Sequence, residues 1–123
     1  MDILVGDDNA FILEMIRNIL GAENYTIHAC NNVDDALNEV DERAFDLVIT
    51  DIVMPVRSGV DFIREMKRRG VGTPILAITG GVENAIEDYV NYADLYADET
   101  LAKPFKHREF IDMVERLASR SPQ

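Results

Sequence analysis

Five polar side chains stand where apolar runs of the sequence stop. Asp7 and Asp8 follow the first apolar run, and Asp51 ends a run of apolar and β-branched residues. Thr79 closes a later apolar run, and Lys103 follows a short segment of which only the last two residues are apolar. A carboxylate beside a metal ion, a lysine and a hydroxyl can accept a phosphoryl group, because the two cations neutralise the phosphoryl oxygens in the transition state. These residues could therefore carry out phosphoryl transfer if the fold brings them together.

Apolar periodicity predicts five strands that alternate with five helices. The strands are predicted at 3–5, 25–30, 46–50, 74–79 and 98–102, and the helices at 11–20, 33–40, 58–69, 82–93 and 107–118. This alternation indicates a parallel sheet covered on both faces. A flavodoxin-like, doubly wound sheet of strand order 2-1-3-4-5 would bring Asp7, Asp8 and Asp51 to one edge, because all strands point their carboxyl ends the same way.

Three aspartates at one edge of a sheet carry an electrostatic cost. Two carboxylates ~5 Å apart repel by ~3 kcal/mol at an effective dielectric constant of ~20. Protonation or a cation must relieve this repulsion. Hard oxygen ligands at a partly hydrated edge suit Mg²⁺, which keeps several waters and takes few protein ligands. We therefore predict a magnesium site at Asp7, Asp8 and Asp51.

Length and charge limit the class of protein. The 123 residues suit one domain, expected to span 1–123 with a core at about 2–118 and a polar tail at 119–123. Lys and Arg total 12 against 23 Asp and Glu, and the net charge of −11 argues against direct binding to nucleic acid or anionic membrane. The single cysteine, Cys30, and the lack of an apolar run near 18 residues predict a cytoplasmic protein.

Four segments, in order, resemble those of a response-regulator receiver domain. They are Ile3 to Asn9, Asp51 to Pro55 with Gly59, Thr79, and Lys103-Pro104-Phe105. The resemblance runs from Ile3 to about Leu117, nearly the whole chain. It implies that Asp51 is the phosphoacceptor, which receives the phosphoryl group from a phosphohistidine on a sensor histidine kinase or a histidine phosphotransfer protein.

The resemblance also assigns roles around Asp51. Asp8 would bind Mg²⁺ directly and Asp7 largely through water, and the main-chain carbonyl of Val53 would complete the protein ligands. Thr79 would bond a phosphoryl oxygen, and Lys103 would pair with it. The Lys103–Pro104 peptide is expected to be cis, as is usual in such domains.

The sequence departs from the family at its usual switch residue. Many receivers carry Tyr or Phe three residues before the lysine, and this chain has Thr100 there. Thr79 followed by Gly80 and Gly81 resembles a subset of receivers that lacks the aromatic residue. Three tyrosines near the predicted helix at 82–93 either pack in the ordinary way or repack when phosphorylation moves that helix: Tyr89, Tyr92 and Tyr96. Together with Pro104 and Phe105, this region is the expected output face.

The leading interpretation is a single-domain response regulator, a monomer or weak dimer. It would catalyse only its own phosphorylation and slow self-dephosphorylation, and it would signal by contact with a downstream protein or pass the phosphate on. A phosphate-independent scaffold is disfavoured because all five reactive residues are present. A haloacid-dehalogenase-like phosphatase has its nucleophile in an Asp-x-Asp pattern after the first strand, and Asp7-Asp8-Asn9 does not fit that pattern.

Overall fold

Five strands form one parallel sheet in the predicted order. The computed structural model of the chain describes residues 1–52, 58–79, 97–102 and 105–120. The strands are β1 (Asp2–Gly6), β2 (Thr26–Cys30), β3 (Leu47–Asp51), β4 (Ile75–Thr79) and β5 (Glu99–Ala102), in the order β2-β1-β3-β4-β5. Every neighbouring pair is parallel, which confirms the doubly wound class.

Four helices lie in the described part of the chain: α1 (Ala10–Gly21), α2 (Val33–Glu42), α3 (Gly59–Arg68) and α4 (His107–Ala118). The predicted helix at 82–93 lies outside the described residues. No described helix has both the length and the apolar character needed to cross a membrane. The observed bounds differ from the predicted ones by at most two residues, and the difference matters at β3. Asp46 precedes this strand, whereas Asp51 belongs to it and pairs with Ile78 of β4.

The sheet separates two apolar layers. Successive residues of a strand point to opposite faces, so each strand supplies both layers. One layer packs α2 and α3 against the sheet, and the other packs α1 and α4 against its opposite face. β3 and β4 are buried along their whole length, as expected for strands covered on both sides. This is why the sequence of β3 is almost continuously apolar up to Asp51.

Side-chain caps fix the helix starts that follow the first three strands. Asn9 accepts a hydrogen bond from the Phe11 amide at 2.9 Å, and Asn32 accepts one from the Asp35 amide at 2.8 Å. Ser58 and Asp61 form a reciprocal capping box at the start of α3, with both hydrogen bonds at 3.2 Å. Such caps satisfy amides that have no partner within the helix. They therefore hold the beginnings of α1, α2 and α3 beside the carboxyl edge of the sheet.

At the amino edge of the sheet, two aspartates bond the main chain of neighbouring strands. Asp46 Oδ2 accepts from the Asp2 amide at 2.8 Å, and Asp98 Oδ2 accepts from the Ile75 amide at 2.8 Å. The main-chain amide of each aspartate also donates to the carbonyl of the same residue: Asp46 to Asp2 at 2.8 Å, and Asp98 to Ile75 at 2.9 Å. These bonds satisfy main-chain groups where the strands begin.

Candidate phosphoacceptor and metal site

Strand register places the reactive residues side by side at the carboxyl edge. Gly6 of β1 pairs with Thr50 of β3, so Asp7 and Asp51 each follow a paired residue on adjacent strands. Thr79, 5% exposed, is the last residue of β4 and follows the residue that pairs with Asp51. The edge predicted from the sequence to hold these side chains is therefore the edge on which the structure places them.

Asp7, Asp8 and Asp51 converge into one carboxylate cluster. A carboxylate oxygen of each lies within 4.8 Å of the others, and no other group of three or more His, Cys, Asp or Glu side chains in the described residues comes together in this way. Asp7 is 2% exposed and Asp51 is 9% exposed, whereas Asp8 is exposed. The cluster thus has a buried floor and an open side that water can reach. Three hard oxygen donors with access to water fit the needs of Mg²⁺.

The Asp7 carboxylate is tied to the start of α1. Its Oδ1 accepts a hydrogen bond from the Asn9 amide at 2.9 Å, and Asn9 in turn caps the helix. The Asp7 amide donates to the Cys30 carbonyl of β2 at 3.1 Å, one residue beyond the β1–β2 register. Asp7 is therefore fixed through its main chain by the sheet and through its side chain by the helix that follows.

The main chain at Asp51 is held by contacts that were not predicted from the sequence. The buried Thr50 hydroxyl donates to the Asp51 main-chain oxygen at 2.9 Å. The Ile52 amide donates to the Ile78 carbonyl at 3.1 Å, and the Ile52 carbonyl accepts from the Gly59 amide at 2.7 Å. In the sequence Thr50 is only another β-branched strand residue, and Gly59 belongs to a segment that resembles the family but has no predicted contact with Asp51.

Several predicted roles fall on residues whose structure is not described. Val53, Gly80, Gly81, Tyr89, Tyr92, Tyr96, Lys103 and Pro104 lie outside the described residues, and their roles remain predictions. Two neighbours of Lys103 and Pro104 are described. Ala102 of β5 is in register with Thr79, and the Phe105 ring stacks on Phe110 with centroids 5.0 Å apart. Thr100, at the usual aromatic position, lies within β5 and pairs with Ala77.

His28 and Cys30 lie outside the carboxylate cluster. The His28 ring meets Phe45 edge-on at a centroid distance of 5.2 Å, and its Nε2 is 3.1 Å from Asp2 Oδ1. Burial, with smaller contributions from Glu39 and Asp35, raises the pKa of the Cys30 thiol to about 11. A packing role for both residues agrees with these contacts.

A doubly wound parallel sheet with three acidic side chains at its carboxyl edge is the arrangement of a receiver. Residues 3–115 match the sequence model of the response regulator receiver domain family. The chain belongs to this family, whose members act in two-component signalling.

Curated relatives support the same assignment over almost the whole chain. The transcriptional regulatory protein DltR of Streptococcus agalactiae is 33% identical over 120 residues, which are 98% of this chain and 52% of DltR. ResD of Bacillus subtilis, another transcriptional regulatory protein, is 34% identical over 121 residues, which are 98% of this chain and 49% of ResD. The chain thus spans about half the length of these relatives.

Solved structures agree with the fold. The response regulator TrrA of Thermotoga maritima, in complex with Mg²⁺ and BeF, has a TM-score of 0.83 at 30% identity, over 94% of this chain and 97% of TrrA. The receiver domain of the Francisella response regulator 1452 has a TM-score of 0.86 at 22% identity, over 97% of both chains. The second similarity supports the fold alone.

Proposed function

We propose that the chain is a phosphoacceptor that takes a phosphoryl group onto Asp51 from the phosphohistidine of a sensor histidine kinase or a histidine phosphotransfer protein. The convergence of Asp7, Asp8 and Asp51 within 4.8 Å, at the strand end beside Thr79, is the observation that carries this proposal. In the transfer, a carboxylate oxygen of Asp51 attacks phosphorus. The P–N bond to the donor imidazole breaks, and its electron pair stays on the ring nitrogen.

The donor set fits Mg²⁺, and we assign the ligands accordingly. Asp8 and Asp51 would bind the ion directly, Asp7 largely through water, and the main-chain carbonyl of Val53 would complete the protein ligands. A bound Mg²⁺ would neutralise negative charge on the carboxylates and on the phosphoryl oxygens. The Thr79 hydroxyl would donate to a phosphoryl oxygen, and the Lys103 ammonium would pair with the phosphoryl group.

We place the output in contacts with another protein. The expected output face includes Gly80, Gly81, Thr100, Pro104 and Phe105, together with Tyr89, Tyr92 and Tyr96. DltR and ResD are transcriptional regulatory proteins by name, but a net charge of −11 makes direct contact of this chain with nucleic acid unfavourable. The proposal includes a single receiver unit over 1–123, a monomer or weak dimer in the cytoplasm, and no activity beyond its own phosphorylation and slow dephosphorylation.

The first test is intact-mass spectrometry after incubation with acetyl phosphate. Wild type should gain one phosphoryl group with Mg²⁺ and none with EDTA, and Asp51→Asn should gain none. Asp112→Asn is the matched control, because Asp112 is an exposed carboxylate on α4 that pairs with Arg108. This variant should be labelled like wild type.

Two results would contradict the proposal. Labelling of Asp51→Asn at the wild-type rate would mean that another residue accepts the phosphoryl group. No adduct on wild type, with no change in its NMR spectrum on addition of beryllofluoride and Mg²⁺, would favour the phosphate-independent scaffold.

A further inference from the structure

The main-chain carbonyl of Asp51 is enclosed from two sides. On one side, the Thr50 hydroxyl donates to it at 2.9 Å, and Thr50 is fully buried. On the other side lies the first residue of α3, Gly59, whose amide donates to the next carbonyl, that of Ile52, at 2.7 Å. The Asp51–Ile52 peptide is therefore fixed by a side chain of its own strand and by the amino end of a helix.

Gly59 leaves no room for a side chain at this contact. A Cβ at position 59 would lie 1.9 Å from the Asp51 carbonyl oxygen, and 2.8 Å from both the Asp51 carbonyl carbon and the Ile52 Cα. Atoms that are not bonded cannot approach so closely, so either α3 or the end of β3 would have to move. All the atoms in the way belong to the main chain, which cannot rotate aside as a side chain can.

The helix has little freedom to retreat. Val60, Phe62 and Ile63 of α3 are at most 4% exposed and pack in the layer that also contains Ile52. The capping box of Ser58 and Asp61 fixes where the helix begins. Close-packed interiors transmit such displacements rather than absorb them. A side chain at position 59 would therefore shift the Asp51 main chain.

We propose that Thr50 and Gly59 are positioning residues, which set the place of Asp51 so that its carboxylate meets those of Asp7 and Asp8. This inference rests on the proposed function of Asp51 as phosphoacceptor. Both residues act on the main-chain carbonyl of Asp51. A displacement of about 1 Å at a reacting group can slow a reaction by about 100-fold. The glycine at position 59 and the hydroxyl at position 50 thus contribute to the rate of phosphorylation through the position of Asp51.

The test compares initial rates of labelling by acetyl phosphate in saturating Mg²⁺, at a temperature where urea titration shows every variant folded. Gly59→Ala should be labelled about 10 to 100 times more slowly than wild type. Thr50→Val, which keeps the shape and removes the donor, should be about 3 to 10 times slower. The amide NMR signals of Asp51 and Ile52 should shift in both variants.

Two control variants separate positioning from stability. Gly21→Ala also adds a methyl group to a helical glycine, but no atom lies within 4 Å of its Cβ position. Asp98→Ala removes the carboxylate that accepts from the Ile75 amide at the opposite, amino edge of the sheet, so it should lower stability and leave the rate at the wild-type value. Both controls should be labelled like wild type.

The possible failures can be told apart. If wild type is not labelled and its NMR spectrum does not respond to beryllofluoride and Mg²⁺, the proposed function fails. Unshifted Asp51 and Ile52 amide signals in Gly59→Ala and Thr50→Val would overturn the positioning role as well. If wild type is labelled and both variants react at its rate, only the positioning role is overturned. An Asp98→Ala rate as low as that of Gly59→Ala would also overturn it, because loss of overall stability would then explain both. If Gly59→Ala does not fold, the rate of Thr50→Val decides.

Discussion

Cys30 should be unreactive in the folded protein. It is 8% exposed, and burial raises the pKa of its thiol to about 11, so the reactive thiolate is scarce at neutral pH. At pH 7.5 we expect iodoacetamide to modify the folded chain much more slowly than the chain unfolded in urea, as measured by intact mass. Cys30 is the only cysteine, so the adduct needs no further assignment. Equal rates in the two states would contradict the prediction.

The same shift predicts the direction of a pH effect on stability. The thiol in the folded state has a higher pKa than its ordinary value of 9.0, so between pH 9 and about 11 the folded state binds more protons than the unfolded state. The contribution of Cys30 to stability is therefore present below pH 9 and lost as the pH rises through this range. Cys30→Ala should show a weaker loss of stability than wild type over the same interval.

The main-chain contacts that hold the site aspartates were the least predictable part of the site. The spacing of Asp7, Asp8 and Asp51 against the apolar runs was enough to predict that they meet, because parallel strands share a carboxyl edge. The contacts of Thr50 and Gly59 with the Asp51 carbonyl could not be predicted in this way. They depend on how closely α3 approaches β3, and spacing along the sequence does not encode that distance.

At the scale of the elements, the aspartate that precedes β5 should contribute to the stability of the fold. Asp98 accepts a hydrogen bond from the Ile75 amide at 2.8 Å and lies 3.7 Å from Arg120 of the segment after α4. Asp98→Ala leaves that amide without its carboxylate acceptor, and we expect the free energy of unfolding to fall by about 1–2 kcal/mol in urea titrations. The neighbouring Glu99→Ala removes only an exposed ion pair with Arg116 and should cost less than about 1 kcal/mol. Equal losses of unfolding free energy in the two variants would mean that the hydrogen bond of Asp98 does not stabilise the fold.

The elements were more predictable than the contacts between them. Helix α3 was predicted at 58–69 and is observed at Gly59–Arg68, and both of its ends follow from local chemistry. Ser58 caps the helix, and Gly70 takes a φ of 74° while its amide bonds the Lys67 carbonyl. Strand ends were less certain, because Asp46 and Asp51 flank the same apolar run and only pairing with β4 decides which of them belongs to β3.

At the scale of the whole molecule, the aspartates at the two edges of the sheet lie in different electrostatic surroundings. At the amino edge, Asp46 and Asp98 accept hydrogen bonds from strand amides, so their charge is satisfied by the fold. At the carboxyl edge, Asp7 also accepts from a main-chain amide, but Asp7, Asp8 and Asp51 lie so close to one another that their negative charges add. The fold thus concentrates negative charge at one end, where a cation and a phosphoryl group would be received.

This concentration of charge should make stability depend on Mg²⁺ beyond simple screening. Added NaCl should raise the urea midpoint of wild type and Asp8→Asn alike, because it screens a net charge near −11 in both. MgCl₂ at matched ionic strength should stabilise wild type further, by about 1.4 kcal/mol at tenfold the dissociation constant, and Asp8→Asn much less. In EDTA, Asp8→Asn should be more stable than wild type. The substitution removes one negative charge from a cluster whose carboxylate oxygens lie within 4.8 Å of one another, and so reduces their repulsion. An equal gain from Mg²⁺ in both proteins would mean that the ion acts on the overall charge and not at the cluster.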